Sequence, residues 1–278
     1  MVVSTPSERH TSSPAVTMAA AILDILESVS PAALGPSEIG RRLGAAKSSV
    51  ANVCGALTAA GLLRREGTSY VLGHRLAELG TTYLEGINEV KAFNAVCNER
   101  MPARRETVQM AVFGPGLEVT HVARWDGTFR IQLILDMGQH LPATCTATGK
   151  ALLAALPPDE LEQRLASAPQ LPRFTERSIT DPVALRADLE ATRARGWAVD
   201  DEELSDGVLC FGAVIPRRRG VPQYAVSFTL LKAWAPVERR ELLGRELVGL
   251  AAVIADWLGE GARPASAAPL AGQARVTY

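Results

Sequence analysis

Between Pro36 and Leu72 the backbone is forced to change direction several times, and each change is marked by a residue type that dictates it. Pro36 sits at a favoured first-turn position and opens a short helix carrying Ile39 and Leu43 at i, i+4, which Gly44 closes. The next helix runs from about Ala46 to Ala60, buries Val50, Val53 and Leu57, and finds a left-handed stop in Gly61. Gly55 within it costs roughly 1 kcal/mol against Ala, so this helix must draw its stability from packing. Leu62–Arg65 and Tyr70–Leu72 then read as extended pieces joined by the turn Glu66-Gly67-Thr68-Ser69. Upstream, Thr17 reads as the cap of a helix whose Met18, Ile22, Ile25, Leu26 and Val29 share one face, ended by Pro31. Helix, helix–turn–helix and hairpin, in that order, make a winged helix-turn-helix.

Charge supports a nucleic-acid role for this segment alone. The whole chain of 278 residues carries a net charge of −1. From Pro36 to Arg75, however, Arg41, Arg42, Lys47, Arg64, Arg65 and Arg75 face only Glu38 and Glu66, a net of +4. A compact basic module beside a mildly acidic body is the asymmetry expected of a DNA reader attached to a regulatory domain. Apolar residues at 47 % and charged ones at 21 % supply a sizeable core and exclude wholesale disorder. No stretch reaches about 18 uncharged apolar residues, and the polar, Ser/Thr-rich Met1–Pro14 lacks a signal-peptide core. Cys54, Cys97, Cys145 and Cys210 are too scattered for a disulfide framework or a metal clamp, which fits a reducing cytoplasm.

The candidate reading surface lies at the start of the third helix. Lys47, Ser48, Ser49 and Asn52 are polar and all fall off the Val50/Val53/Leu57 face. A recognition helix needs short donors there to reach base edges, with Lys and backbone N–H groups toward phosphate. Asn pairs bidentately with adenine, and Lys with guanine. Arg64 and Arg65 on the wing, and Ser37 at the start of the second helix, complete the DNA-facing set.

The second half has a different grammar. The linker segment 74–92 reads as a helix from His74 to about Asn88, with Leu76, Leu79, Tyr83 and Ile87 on one side, a face suited to another chain or its own domain, and a further helix follows at Val90–Glu99, ended near Met101-Pro102. Strands are expected at Thr107–Phe113, Leu117–Ala123, Phe129–Leu135, Val208–Ile215 and Gln223–Leu230. Helices are expected at Gly149–Leu156, Asp159–Ser167, Asp181–Arg195 and Val237–Leu258. The organisation is therefore a disordered leader (1–15), a winged domain (16–73), the linker (74–92), an α+β domain (93–260) and a disordered Ala/Pro-rich tail (261–278).

Several motifs together resemble one family. Pro36-Ser-Glu-Ile-Gly-Arg-Arg-Leu-Gly-Ala-Ala-Lys-Ser-Ser-Val50, followed by Ala60-Gly61-Leu-Leu-Arg64, is similar to the winged helix of IclR-type transcriptional regulators. Pro142-Ala-Thr-Cys-Thr-Ala-Thr-Gly149-Lys150-Ala-Leu-Leu-Ala154 and Arg195-Gly-Trp-Ala-Val-Asp200-Asp-Glu-Glu203…Gly207-Val-Leu-Cys210 resemble two blocks of that family's second domain. The resemblance covers about Thr17 to Leu258. It implies a GAF/profilin-like α+β effector-binding domain, a dimer or dimer of dimers on double-stranded operator DNA, and regulation, most often repression, by a small molecule. Carried over by position, the effector site holds Leu133, Leu141, Thr146, Ala147, Thr148, Gly149, Asp200, Cys210, Ser227 and Thr229. Relatives often carry Arg near position 52, so Asn52 prevents transfer of any operator sequence.

The residues make that site chemically reasonable. Ser227 and Thr229 are i, i+2 on a strand, so both hydroxyls face one side. The Thr146–Gly149 turn precedes a helix whose amides favour a carboxylate, pointing to a small organic acid or related metabolite. Neither a cofactor nor a metal is expected; Asp200, Asp201, Glu202 and Glu203 read as a solvated edge rather than a cation site. Two other classes stay open at this point. One is an enzyme in which Cys145 or Cys210 works with His140 or His121; the other is a DNA-binding protein that answers to no ligand.

Overall fold

The computed structural model of the chain describes residues 13–114, 116–128, 137–166, 168, 170–217 and 220–259. It divides into two compact units between Gly86 and Ile87. Most of the leader and all of the tail, like the expected strand Phe129–Leu135 with its Leu133, lie outside the described residues.

The first unit contains α1 (Pro14–Val29), α2 (Pro36–Leu43), α3 (Lys47–Ala59), β1 (Leu63–Glu66), β2 (Ser69–Leu72) and α4 (Arg75–Gly86). Helix α1 starts earlier than Thr17 suggested. Ser13 occupies the cap position and Pro14 the first turn, while Thr17 donates its hydroxyl to the Ser13 carbonyl from inside the helix, at 3.3 Å. Gly44 ends α2 at φ 63°. Gly40 is needed for a different reason: a Cβ there would stand 2.8 Å from the Ala45 carbonyl oxygen, so the turn between α2 and α3 closes over it. Ile22, Leu26, Ile39, Val50, Cys54, Leu57, Leu63 and Tyr70 form one core. Cys54, rather than the half-buried Val53, is the third member of the α3 apolar stripe. Each large apolar side chain enclosed there contributes roughly 1.5–3 kcal/mol. The hairpin pairs Leu63 with Leu72 and Glu66 with Ser69.

The linker segment 74–92 holds the two helices expected there, within two residues of the expected bounds at the break. It breaks at Ile87, whose backbone is extended (φ −85°, ψ 112°), so α4 belongs to the first unit and α5 (Asn88–Arg100) to the second. Gly86, a poor helix former, immediately precedes the break. No residue of α4 is buried, and Leu79 and Tyr83 are 50 % and 62 % exposed.

The second unit continues with β3 (Thr107–Phe113), β4 (Glu118–Trp125), β5 (His140–Pro142), α6 (Ala147–Ala154), α7 (Pro158–Ala166), α8 (Pro182–Arg195), β6 (Ala198–Asp201), β7 (Val208–Val214), β8 (Tyr224–Leu231) and α9 (Val237–Gly259). The described strands form an antiparallel six-stranded sheet in the order β5-β4-β3-β8-β7-β6. One face carries Phe228, with the Arg104 guanidinium stacked 4.7 Å from its ring centre and paired with Glu246 of α9. The other face packs against α6, whose far side meets α8. Alternation along β8 separates the two faces, with Val226, Phe228 and Leu230 on one and Ala225, Ser227 and Thr229 on the other.

Candidate functional sites

Lys47, Ser48, Ser49 and Asn52 are all exposed on α3, opposite the buried Val50, Cys54 and Leu57. The first turn carries no acidic residue, and Ala46 offers no side-chain cap, so nothing local competes for its outward amides. Ser37 is exposed on α2. The neighbouring arginines are not equivalent cations. Arg41 and Arg42 both bind Glu38, at 2.7 and 2.8 Å, and hold its carboxyl well below the usual range. Arg64 pairs with Glu66 at 2.7 Å along the same strand of the wing. Arg65 donates Nε to the Gly67 carbonyl at 2.9 Å, which anchors the side chain and leaves four N–H groups of its guanidinium fork. Lys47 has no ion-pair partner among the described residues.

In the second unit the register brings most of the expected effector residues onto one face of the sheet. Asp200 lies opposite Cys210, Cys210 opposite Thr229, and Thr229 opposite Thr107, a single row across four strands. The adjoining row is Ala198, Gly212, Ser227, Gln109 and Arg124. Helix α6 begins directly over these rows. A Cβ on Gly212 would lie 2.1 Å from the Ala147 carbonyl oxygen, and Ala147 packs with Val208 and Cys210. Thr146 caps α6 by accepting the Gly149 N–H at 3.2 Å and donates its own hydroxyl to the Pro142 carbonyl at 3.1 Å. Gly149 admits no side chain because Ala143 backbone fills the space. Leu141 is buried in the apolar cluster of Val119, Leu152 and Leu153.

The acidic run is not a solvated edge. Asp200 and Glu203 are buried, whereas Asp201 and Glu202 turn to cations outside. Lys232 sits 2.8 Å from Asp201 and also pairs with Glu202; Arg240 and Arg177 complete the outer cluster at 3.2 Å from Asp201 and 3.0 Å from Glu202. Inside, Asp200 accepts the Glu203 and Leu204 N–H groups at 2.7 and 3.4 Å. Glu203 pairs with the fully buried Lys150, which also stands 3.0 Å from Asp188 of α8. Burial lowers the proton affinity of Lys150, but the two facing carboxylates raise it above the ordinary lysine value, so the cation persists. Burial lifts Asp200 to about 7, assisted by the charge of Glu203.

Cysteine chemistry finds no support. Burial raises all four thiols above their usual value, Cys97 to about 12, Cys54 and Cys145 less far, and Cys210 well above it. Cys145 donates to the Pro172 carbonyl, and His140 lies beside Thr120 and Glu118. Among the described residues no cluster of three or more His, Cys, Asp or Glu side chains suits a metal, and no helix is long and apolar enough to cross a membrane.

Sequence reasoning missed part of the buried polar surface. Thr107 Oγ1, Gln109 Nε2, His121 Nδ1 and Thr148 Oγ1 are enclosed and have no hydrogen-bond partner. Thr107 and Gln109 alternate with Val108 and Met110 along β3, a polar–apolar pattern that marks them as neighbours on the candidate face. A cleft of about 610 Å³ between α7 and α8, lined among others by Glu162, Leu165, Thr180 and Arg186, contains none of the expected effector residues.

Two family models match. The IclR helix-turn-helix domain covers residues 15–67 and the C-terminal domain of the IclR bacterial transcriptional regulators covers residues 81–254. The chain belongs to the IclR family of transcriptional regulators. This IclR-family chain is 33 % identical over 247 residues to the HTH-type transcriptional regulator Rv1719 of Mycobacterium tuberculosis, spanning 88 % of this chain and 90 % of that protein. Among solved structures it is similar to the Agobacterium tumefaciens repressor BlcR, with 30 % identity, a TM-score of 0.57, and coverage of 91 % and 99 % of the two chains. An IclR homologue from Microbacterium hydrocarbonoxydans, crystallised with 4-hydroxybenzoate, shares the fold at TM-score 0.69 and 23 % identity, with coverage of 87 % of this chain and 99 % of that one. The protein is therefore a DNA-binding transcriptional regulator with an IclR-type effector-binding domain.

Proposed function

We propose that this IclR-family regulator is a cytoplasmic repressor that binds operator DNA as a homodimer, or a dimer of dimers, and responds to a small organic acid. The observation that carries the DNA half is the outward Lys47–Asn52 face of α3. Lys47, Ser48 and the α3 amides meet phosphate, Ser49 and Asn52 meet base edges, and Ser37, Arg64 and Arg65 touch the flanking backbone. Exposed Leu79 and Tyr83 on α4 supply an apolar stripe for a second copy. Two-fold symmetry then places two recognition helices about one DNA turn, or a multiple, apart.

The effector half rests on the buried row of Asp200, Cys210 and Thr229 with Ser227 beside it, roofed by the Thr146–Gly149 turn. A carboxylate there accepts from hydroxyls and α6 amides, while a protonated Asp200 supplies a further donor. The acid changes DNA affinity only insofar as it binds one arrangement of the protein better than the other. The relative crystallised with 4-hydroxybenzoate makes aromatic and aliphatic acids the natural first screen.

Selection from a random-sequence DNA pool tests the first half: a pseudo-palindrome should emerge, and Lys47→Ala, Asn52→Ala and Arg65→Ala should each weaken its binding. Unchanged binding in all three variants would reject this surface. Acids that raise the melting temperature should also change the affinity for the selected DNA.

A further inference from the structure

Next to the residues proposed to hold the carboxylate, the same sheet face carries buried polar groups for which the fold has no use of its own. Gln109 stands opposite Ser227 in the register, and His121 stands opposite Ala111, one residue pair further along β3. Thr229 donates its hydroxyl to Gln109 Oε1 at 3.3 Å, which turns the amide so that Nε2 points elsewhere, buried and unpartnered. The β-bulge between Met110 and Ala111 brings His121 and Arg124 to the same face. His121 is 4 % exposed and its Nδ1 also lacks a partner. Its neighbours in the row are Ala111 and Ala225, too small to cover the imidazole. Unpartnered donors of this kind cost stability unless something else completes them.

We infer that Gln109 and His121 are the specificity-determining residues of the effector site, reading an uncharged oxygen, a hydroxyl or a keto group, carried by the acid beyond its carboxylate. This rests on the effector reading above. Charge decides against a second carboxylate at this end. Arg124 already pairs with Asp126 at 2.6 Å, and the buried cation Lys150 faces both Glu203 and Asp188. Burial, reinforced by Arg124, holds His121 down at about 4, so near neutral pH the ring is uncharged and serves as donor or acceptor to a neutral oxygen. Gln109 Nε2 supplies a fixed donor beside it.

The test is thermal unfolding of the full chain with matched probes: lactate against propionate, and 4-hydroxybenzoate against benzoate. In at least one pair the hydroxy acid should bind about tenfold more tightly than its partner, the scale of one hydrogen bond to an otherwise unsatisfied buried group. Gln109→Leu and His121→Leu should erase that preference, and His121→Leu, which breaks no hydrogen bond at Nδ1, should do so without lowering the melting temperature of the unliganded protein. His121→Asn, which keeps a polar atom near the position of Nδ1, should retain it. Equal binding of both members of each pair, a preference that survives both Leu variants, or a loss of unliganded stability in His121→Leu would overturn the inference and leave the sensor reading standing. If none of the four acids binds, the organic-acid reading itself fails, and this inference with it.

Discussion

In the winged domain the polar side chains that define the candidate surface stand in solvent, whereas the described part of the effector domain encloses fourteen buried polar or charged residues, from Glu106 to Thr229, and the described part of the first unit encloses none. The contrast follows from what each half has to meet. A DNA groove arrives with its own water and counterions, so Lys47 and Asn52 remain solvated until binding, and the helix beneath them needs only an apolar underside. A small metabolite must be surrounded, and the groups that will hold it have to be dried during folding. Exposed polar residues can be exchanged at little cost to stability. Buried ones cannot.

That difference can be broken most forcefully at Lys150. Lys150→Met leaves Glu203 and Asp188 facing each other without their cation, and the effector domain should lose about 3–5 kcal/mol. Chemical denaturation followed by circular dichroism should show that domain's transition moving while the winged domain's stays in place. A common shift of both would mean the units unfold as one.

Asp200 tests the same contrast through pH. Its native value of about 7 lies above the unfolded 3.8, so the native state holds the extra proton between those values. The associated stability is complete below about 3.8 and is lost as pH rises through 7. Asp200→Asn keeps an acceptor for the Glu203 N–H and removes the ionisation. The variant should gain over the native chain at pH 8, with an upper bound of roughly 4 kcal/mol at about 1.4 per pKa unit, and the gain should shrink toward pH 4. Melting curves across that range decide it. An advantage that grows toward acid would reverse the assignment.

On the exposed side the effects are smaller and fall on binding. Asn52→Ala should reduce discrimination at one base pair by about 1–3 kcal/mol, read by competition among operator variants. Lys47→Ala should weaken binding evenly across sequences and flatten the logarithmic salt dependence by about 1. Neither should move the melting temperature. A stability loss in either would place these residues in the architecture rather than on the reading surface.

What was legible in the sequence divides along the same line. The winged domain follows from local signals, because Pro36, Gly44 and Gly61 punctuate the chain within a few residues of the turns they cause. Its one displaced boundary, Pro14 instead of Thr17, arises because either residue can start a helix and only the fold selects between them. In the effector domain the regular elements were visible, but the short pairing strands β5 and β6 were not, since a three- or four-residue strand is defined by its neighbours. Asp200 to Glu203 read as a solvated edge because Asp200 turns inward only once β6 pairs with β7, and the chain then turns at Glu202 (φ 66°) and returns Glu203 to the interior. Gln109 and His121 escaped for a related reason. Neither has a motif, and their shared face depends on a bulge that sequence periodicity does not report.

Gly212 carries one more implication. Since main chain rests on main chain where α6 crosses β7, the distance between roof and floor is set independently of any side chain that a ligand touches. Side chains around that fixed point can be exchanged without lifting α6 from β7. A single methyl at position 212 would do the opposite, prising helix from strand.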